Sequence, residues 1–332
     1  MKLDSARDLK ARMHDSVVRP LATSVVTKSA LGVAAQPLSI TGEVPPTVAL
    51  GITRKTQGDY SLAVRVQKRG LENSPAIDTI RKQAKGEVDI RYIGRVAKYA
   101  APAKRGRPLK IGQSIGHFRI TAGTLGAFVR DLAGGGVMIL SNNHVLANEN
   151  KARHGDAILQ PGPYDDGKDP ADRVATLARF VRLKKTGPNL VDAAVAALDP
   201  GMEYDARTLT GLGGKLAGAG SSFLDDQTPV GKIGRTTATT RGKVVTFELD
   251  NLLVAYDVGA LQFNDQIEIE GDGDSPFSQG GDSGSLIVDA DRLAVALLFA
   301  GSDLGGTNGK GLTYANPLAA VLSALKVELL SS

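Results

Sequence analysis

Gly280-Gly281-Asp282-Ser283-Gly284-Ser285, followed at once by the apolar run Leu286-Ile287-Val288, is the stretch that decides the fold. Glycines on both sides of a serine let the backbone turn tightly. They also keep side chains out of a substrate's way and allow backbone N–H groups to converge on one point. A nucleophilic hydroxyl with an oxyanion site beside it needs all three. Taken alone, the same residues also suit a Gly/Ser turn between strands, so the reading depends on partners elsewhere in the chain.

A base is the first partner required. The chain has four histidines. His14 falls in a helical stretch, His117 at a polar strand start and His154 in a charged loop. His144, in Ser141-Asn142-Asn143-His144-Val145-Leu146, follows the apolar strand expected at 137–140. An acid is the second. In Asn189-Leu190-Val191-Asp192-Ala193-Ala194-Val195, Asp192 stands in an otherwise small and apolar run. A carboxylate there needs a donor, and an imidazole N–H is one that would also fix the tautomer. A strand-end aspartate bonded to backbone is the plain alternative. Asp156, Asp172 and Asp199 are rival acids in more turn-like contexts.

His144, Asp192 and Ser283 follow one another at intervals of 48 and 91 residues. The order His-Asp-Ser is one of three in which this triad occurs, and it goes with a double β-barrel. On these residues the chain resembles the trypsin-like serine protease superfamily. Val230-Gly231-Lys232-Ile233-Gly234-Arg235-Thr236-Thr237, continuing to Gly242-Lys243-Val244, resembles the first hairpin of the second barrel in bacterial members. Thr121-Ala122-Gly123-Thr124-Leu125-Gly126, residues 141–148 and Ile158-Leu159-Gln160-Pro161-Gly162 look like a bacterial branch related to the plant narrow-leaf proteases. That branch commonly carries a small N-terminal domain such as residues 47–98, so the resemblance spans about residues 47–320.

The resemblance implies a mainly β fold: two antiparallel β-barrels of the chymotrypsin type with a C-terminal helix, plus a small α+β N-terminal domain. It implies a serine endopeptidase with Ser283 as nucleophile, His144 as general base and acid, and Asp192 as the group orienting His144. The backbone N–H groups of Gly281 and Ser283 would form the oxyanion hole. Phe299, Ala300 and Gly301 would pair with an extended protein or peptide substrate. No cofactor or metal is implied.

The chain also departs from the pattern. Asn142-Asn143 replaces the usual small pair before the histidine, and Ser285 stands where many bacterial members have glycine. Phe277, six residues before Ser283, points to small or apolar substrate side chains rather than Lys or Arg, although Asp274 is close by. Lys110-Ile111-Gly112 superficially resembles an activation site whose new N-terminus would pair with Asp282. Against that, Ile111 is only 33 residues before His144, and intact bacterial members usually satisfy the equivalent aspartate internally.

The remaining sequence divides by composition. Residues 1–46 read as an amphipathic helix, with Leu3, Leu9, Met13 and Val17 near one face, followed by a Ser/Thr/Ala/Pro-rich connection. Residues 47–100 form a β-β-α-β accessory unit, with strands near 48–53, 61–67 and 88–96 and a helix opened by Ser74-Pro75 and closed by Gly86. Residues 101–110 are a basic Pro/Gly linker. Residues 111–210 would form the first barrel and 211–332 the second barrel with the closing helix. Asn316 would cap that helix, Pro317 would occupy its first position, and Leu318, Val321, Leu322, Leu325 and Leu329 would form its apolar stripe.

Composition narrows the function classes. Of 332 residues 42% are hydrophobic and 23% charged, and none is cysteine, which excludes disulfides, thiolate metal sites and a cysteine nucleophile. No apolar run is long enough to span a bilayer, so no membrane partner is expected. The N-terminus mixes acids with bases and lacks a continuous apolar core, which points to a cytoplasmic protein.

The net charge of +5 divides into +12 over residues 1–110 and −7 over 111–332. Nucleic acid is a poor match for the basic part, because no recognition motif accompanies the charge; the acidic remainder of the chain is the better partner. A homo-oligomer is compatible with the sequence. Tyr164-Asp165-Asp166-Gly167-Lys168-Asp169 lacks calcium-loop spacing and reads as a solvated turn, and glycine-rich 211–220 lacks a phosphate-loop ending. Two other readings remain beside the peptidase: an inactive protease-fold module that holds a protein partner, and nucleic-acid binding through residues 54–110.

Overall fold

The computed structural model describes residues 1–21, 48–93, 96–97, 104–120, 122–221 and 224–331. The connection expected within 1–46 therefore falls largely outside the described residues. So does part of the basic linker.

The mainly β architecture is as expected. Six antiparallel strands succeed one another in space as Pro229–Gly234, Leu286–Asp289, Leu293–Ser302, Thr313–Pro317, Gln266–Gly271 and Ala238–Asp250. The last pairs again with the first, Val230 facing Gly242 and Ile233 facing Thr239, so this barrel closes. Alternation along the strands fills it: Val244, Ile267, Ile269, Ile287, Val295 and Leu298 point inward.

The first β unit differs from the expected barrel. It is an eight-stranded sheet running from Val327–Leu329 through Ala127–Asp131, Val137–Ser141, Ala194–Leu198, Arg173–Phe180, Ala157–Leu159 and Ser114–His117 to Gly123–Thr124, and it stays open as a half-barrel. It packs against the neighbouring barrel. Ile233, Leu286, Val288 and Leu297 share one apolar cluster with Leu125, Leu140, Val145 and Val195.

The C-terminal helix is shorter than its apolar stripe suggests. It spans Leu318–Leu325 and ends at Lys326, which takes a left-handed φ of 53°. Val327–Leu329 then joins the half-barrel as an edge strand beside Ala127–Asp131, so Leu329 is not on the helix. Asn316 does not cap it either, because its side chain is engaged elsewhere.

The N-terminal helix Leu3–Met13 and the turn His14–Val18 bury Leu9, Met13, Val17 and Val18 against the accessory strands Val48–Thr56 and Asp59–Val66. Helix Pro75–Gln83 starts on Ser74, whose Oγ accepts from Ile77 N at 3.4 Å, and connects Asp59–Val66 to the parallel strand Val88–Tyr92. Strand Val48–Thr56 also pairs with Ala238–Asp250, so the accessory sheet continues into the barrel wall. Gly51 permits the approach: a Cβ there would meet Thr246 Cγ2 at 2.2 Å. Among the described residues no helix is long and apolar enough to cross a membrane.

Glu268 sits on the barrel's outward face, where alternation calls for a solvated residue. Arg65, from the accessory strand Asp59–Val66, reaches across to it, and both Glu268 and Arg65 are fully buried. Arg65 Nε donates to both Glu268 oxygens at 2.8 and 3.0 Å, Nη2 to Thr246 Oγ1 at 2.9 Å and Nη1 to Asp89 O at 3.1 Å. Removing one member of such a pair strands the other charge, at a cost of about 3–5 kcal/mol. Arg65→Ala should therefore lower the urea midpoint strongly, while Arg65→Met combined with Glu268→Leu should recover much of the loss. A single substitution without effect on the midpoint would refute this account.

Candidate active site

Antiparallel register brings His144 and Asp192 together. Ser141, at the end of Val137–Ser141, faces Ala194, at the start of Ala194–Leu198. The residues just after one strand end and just before the other strand start therefore share one end of the sheet. His144 lies on a single helical turn, Asn143–Leu146, immediately past the first strand.

Its Nδ1 is 2.5 Å from Asp192 Oδ2, and its backbone N donates to Oδ1 at 3.2 Å. Tyr256 OH donates to the same Oδ2 at 2.6 Å. The Asp192 backbone is held as well, its N donating to Asn316 Oδ1 at 3.0 Å and its O accepting from Asn142 Nδ2 at 2.7 Å. Asp192 is wholly buried. Burial alone would raise its pKa, but the charge of His144 and the hydrogen bonds from His144 and Tyr256 outweigh it and hold the carboxyl below its ordinary value. The Tyr256 hydroxyl is pushed well above its ordinary value, first by burial and then by the charge of Asp192.

Ser283 lies in a tight turn with Gly281 at φ 91° and Gly284 at φ 93°, conformations that glycine adopts without strain. Asp282 is turned inward and satisfied from several directions. It accepts from Gln279 N and Thr236 N at 2.9 Å each and from Thr237 Oγ1 at 2.7 Å, and Lys232 Nζ lies 3.2 Å away. Burial pulls the Lys232 ammonium below its ordinary pKa, while Asp282 acts against that shift. Ile111 is itself buried.

The turn is clamped onto the half-barrel beside His144. Thr124 N donates to Ser283 O at 2.7 Å, and Thr124 Oγ1 donates to Gly281 O at 2.8 Å. A Cβ on Gly284 would meet Ser141 Oγ at 2.1 Å, and one on Gly123 would meet both Val145 and Ser283 O. His144 and Ser283 are each 5% exposed, at the edge of the interior. Among the described residues, Gly281 N and Ser283 N donate to no protein acceptor, and no hydrogen bond joins Ser283 Oγ to His144 Nε2.

Other candidates fall elsewhere. Phe277 is 1% exposed and packs inside the closed barrel with Val244, Ile269 and Ile287. Its ring lies against Gly242, where a Cβ would meet Phe277 Cδ2 at 2.8 Å. The Phe299 side chain is also interior, 4.7 Å from Phe263 between ring centres. Ala300 and Gly301 follow it on the strand Leu293–Ser302.

The rival acids are engaged away from His144: Asp156 with His117, Asp172 with Arg105 and Asp199 with Arg173. The acidic run 164–169 is not simply solvated. Asp165 is buried and pairs with Arg235 at 2.5 and 2.8 Å, bridging the half-barrel to the barrel. Sequence reasoning missed Tyr256, Asn316 and Lys232 as partners. Their only local signal is an isolated polar group in an apolar strand.

No family model and no curated protein sequence matches the chain. Solved structures do. Protease A of Thermobifida fusca is 17% identical with a TM-score of 0.47, covering 68% of this chain and 99% of that one. Chymotrypsin of Cellulomonas bogoriensis is 19% identical with a TM-score of 0.46, again covering 68% and 99%. The Nocardiopsis protease is 17% identical with a TM-score of 0.47, covering 67% and 98%. The chain is thus similar, at low identity, to bacterial proteases, and nothing in these matches bears on the plant narrow-leaf branch.

Proposed function

We propose that the chain is a serine endopeptidase acting through Ser283, His144 and Asp192. The observation that carries this reading is the wholly buried Asp192 carboxylate bonded to His144 Nδ1. A carboxylate there fixes the imidazole tautomer with Nε2 free to accept a proton, and it stabilises the imidazolium that follows.

In the proposed reaction Ser283 Oγ attacks the peptide carbonyl carbon while His144 Nε2 takes its proton. The tetrahedral oxyanion accepts from Gly281 N and Ser283 N, donors worth on the order of 3 kcal/mol each in the transition state. His144 then protonates the departing amine, leaving an acyl-enzyme on Ser283. Water, deprotonated by His144, hydrolyses the ester and restores the serine. Tyr256 acts through Asp192 as a positioning residue, since its hydroxyl donates to the oxygen that also meets His144.

A second reading, an inactive protease-fold module that binds a protein, is favoured by one observation: Ser283 Oγ and His144 Nε2 are not hydrogen-bonded among the described residues. Catalytic hydrogen bonds are often long in a substrate-free site and tighten in the complex, so the peptidase reading is retained.

A fluorophosphonate should label the chain at Ser283, and casein or a peptide library should be cut. Ser283→Ala should abolish labelling and lower kcat by at least about a thousandfold. A folded sample that neither labels nor cleaves would leave the binding module as the better account. Asp192→Asn should lower kcat on the order of ten-thousandfold, because the imidazole loses its tautomer control. Tyr256→Phe should lower kcat by about tenfold with KM little changed, the loss of one hydrogen bond to a charged group. A shift confined to KM would remove Tyr256 from its positioning role.

A further inference from the structure

The strand Leu293–Ser302 has two edges. One is paired with Thr313–Pro317, from Ala296 facing Pro317 to Gly301 facing Thr313. The other is paired with Leu286–Asp289 as far as Leu286 facing Leu297. From there it reaches the serine turn itself, with Gly284 N donating to Leu298 O at 2.8 Å and Leu298 N to Ser285 O at 3.0 Å. Beyond Leu298 this second edge leads away from Ser283, and among the described residues no further strand of the barrel lies beside it. An extended peptide whose scissile carbonyl reaches Ser283 would add to the sheet along this edge through its main chain.

That place is already taken by the chain itself. Val96–Ala97 pairs antiparallel with the same strand, Ala97 facing Gly301 and Val96 facing Ser302. Gly301 faces Thr313 on its first edge, so Ala97 must lie on the second. The direction is also that of a substrate: as residue number rises from Val96 to Ala97, the strap advances from Ser302 towards Ser283. It is anchored just upstream. Ile93 is fully buried with Phe299, Leu312 and Tyr314, and its N donates to Val66 O at 2.9 Å in the accessory sheet.

We propose that Val96–Ala97 is an autoinhibitory strap, which occupies the edge where a peptide substrate must pair and which the accessory unit holds there. The proposal rests on the peptidase reading and names its regulation. A tethered strap competes at an effective concentration in the millimolar range. Its two residues form few ladder bonds, each worth about 1 kcal/mol net, so a longer substrate strand displaces it.

Proline has no N–H and cannot donate to a ladder. In the full-length chain, Val96→Pro with Ala97→Pro should raise kcat/KM about tenfold, through KM, for a peptide with four residues before the scissile bond. Labelling of Ser283 by a small fluorophosphonate, which does not reach along the edge, should be unchanged. Equal labelling with an unchanged kcat/KM overturns the strap. Absence of labelling in both chains overturns the peptidase reading, and the strap with it. A second measurement needs no substitution: Ser302 N donates to Leu312 O on the first edge, so of the two strap amides it is that of Ala97 that faces the strand, and a tetrapeptide boronate bound to the unaltered chain should speed its exchange; undiminished protection there would equally overturn the proposal.

Discussion

A carboxylate without water must be saturated with donors, and the Asp192 carboxylate is the point at which several parts of this protein meet. The half-barrel supplies His144 through both its backbone and its ring. The hairpin of strands Leu252–Tyr256 and Gly259–Phe263 supplies the Tyr256 hydroxyl. The segment entering the C-terminal helix supplies Asn316, which fixes the Asp192 backbone and is itself oriented by donating to Gln266 Oε1 at 2.6 Å. Because burial makes any missing donor costly, the position of each contributor is constrained by the same group. The hairpin turn next to Tyr256 is held too, with Asp257 N and Val258 N donating to the buried Glu149, shortly after His144 in the chain.

The division between what was legible and what was not follows the reach of each interaction. Gly280 to Ser285 announces its turn because the demand is local, positive φ and close packing on adjacent residues. Ser74-Pro75 marks a helix start for the same reason, a side-chain cap three residues from its donor. Asp192 stood out because a charge in an apolar run is anomalous wherever its partner lies. Asn316 misled because the residue before a proline at a helix start commonly caps it, yet here the side chain answers a demand 124 residues away. Phe277 was assigned from its distance to Ser283 along the chain, and a loop's length does not say which way its side chains turn. The half-barrel was unreadable for a related reason: whether a sheet closes depends on packing between segments far apart in the chain, and its apolar cluster is shared with the other unit.

The charge imbalance along the sequence has a partial structural counterpart. Basic residues of the N-terminal part meet acids of the barrel in specific pairs: Arg65 with Glu268 in the interior, Arg7 and Lys10 with Glu248, and Arg54 with Asp225. The exposed pairs contribute little to stability individually. They nonetheless set the accessory sheet in register on the barrel wall, together with the backbone pairing that Gly51 allows. A sheet that continues from one unit into the next couples their unfolding.

The ion pair between Lys232 and Asp282 has a consequence for the serine turn. Both charges belong to the same barrel, one on its first strand and one in the serine turn. The aspartate of the turn therefore finds its counter-charge within the barrel that carries it. A restraint on the serine turn would then act from the barrel's surface, as is proposed for the strap Val96–Ala97.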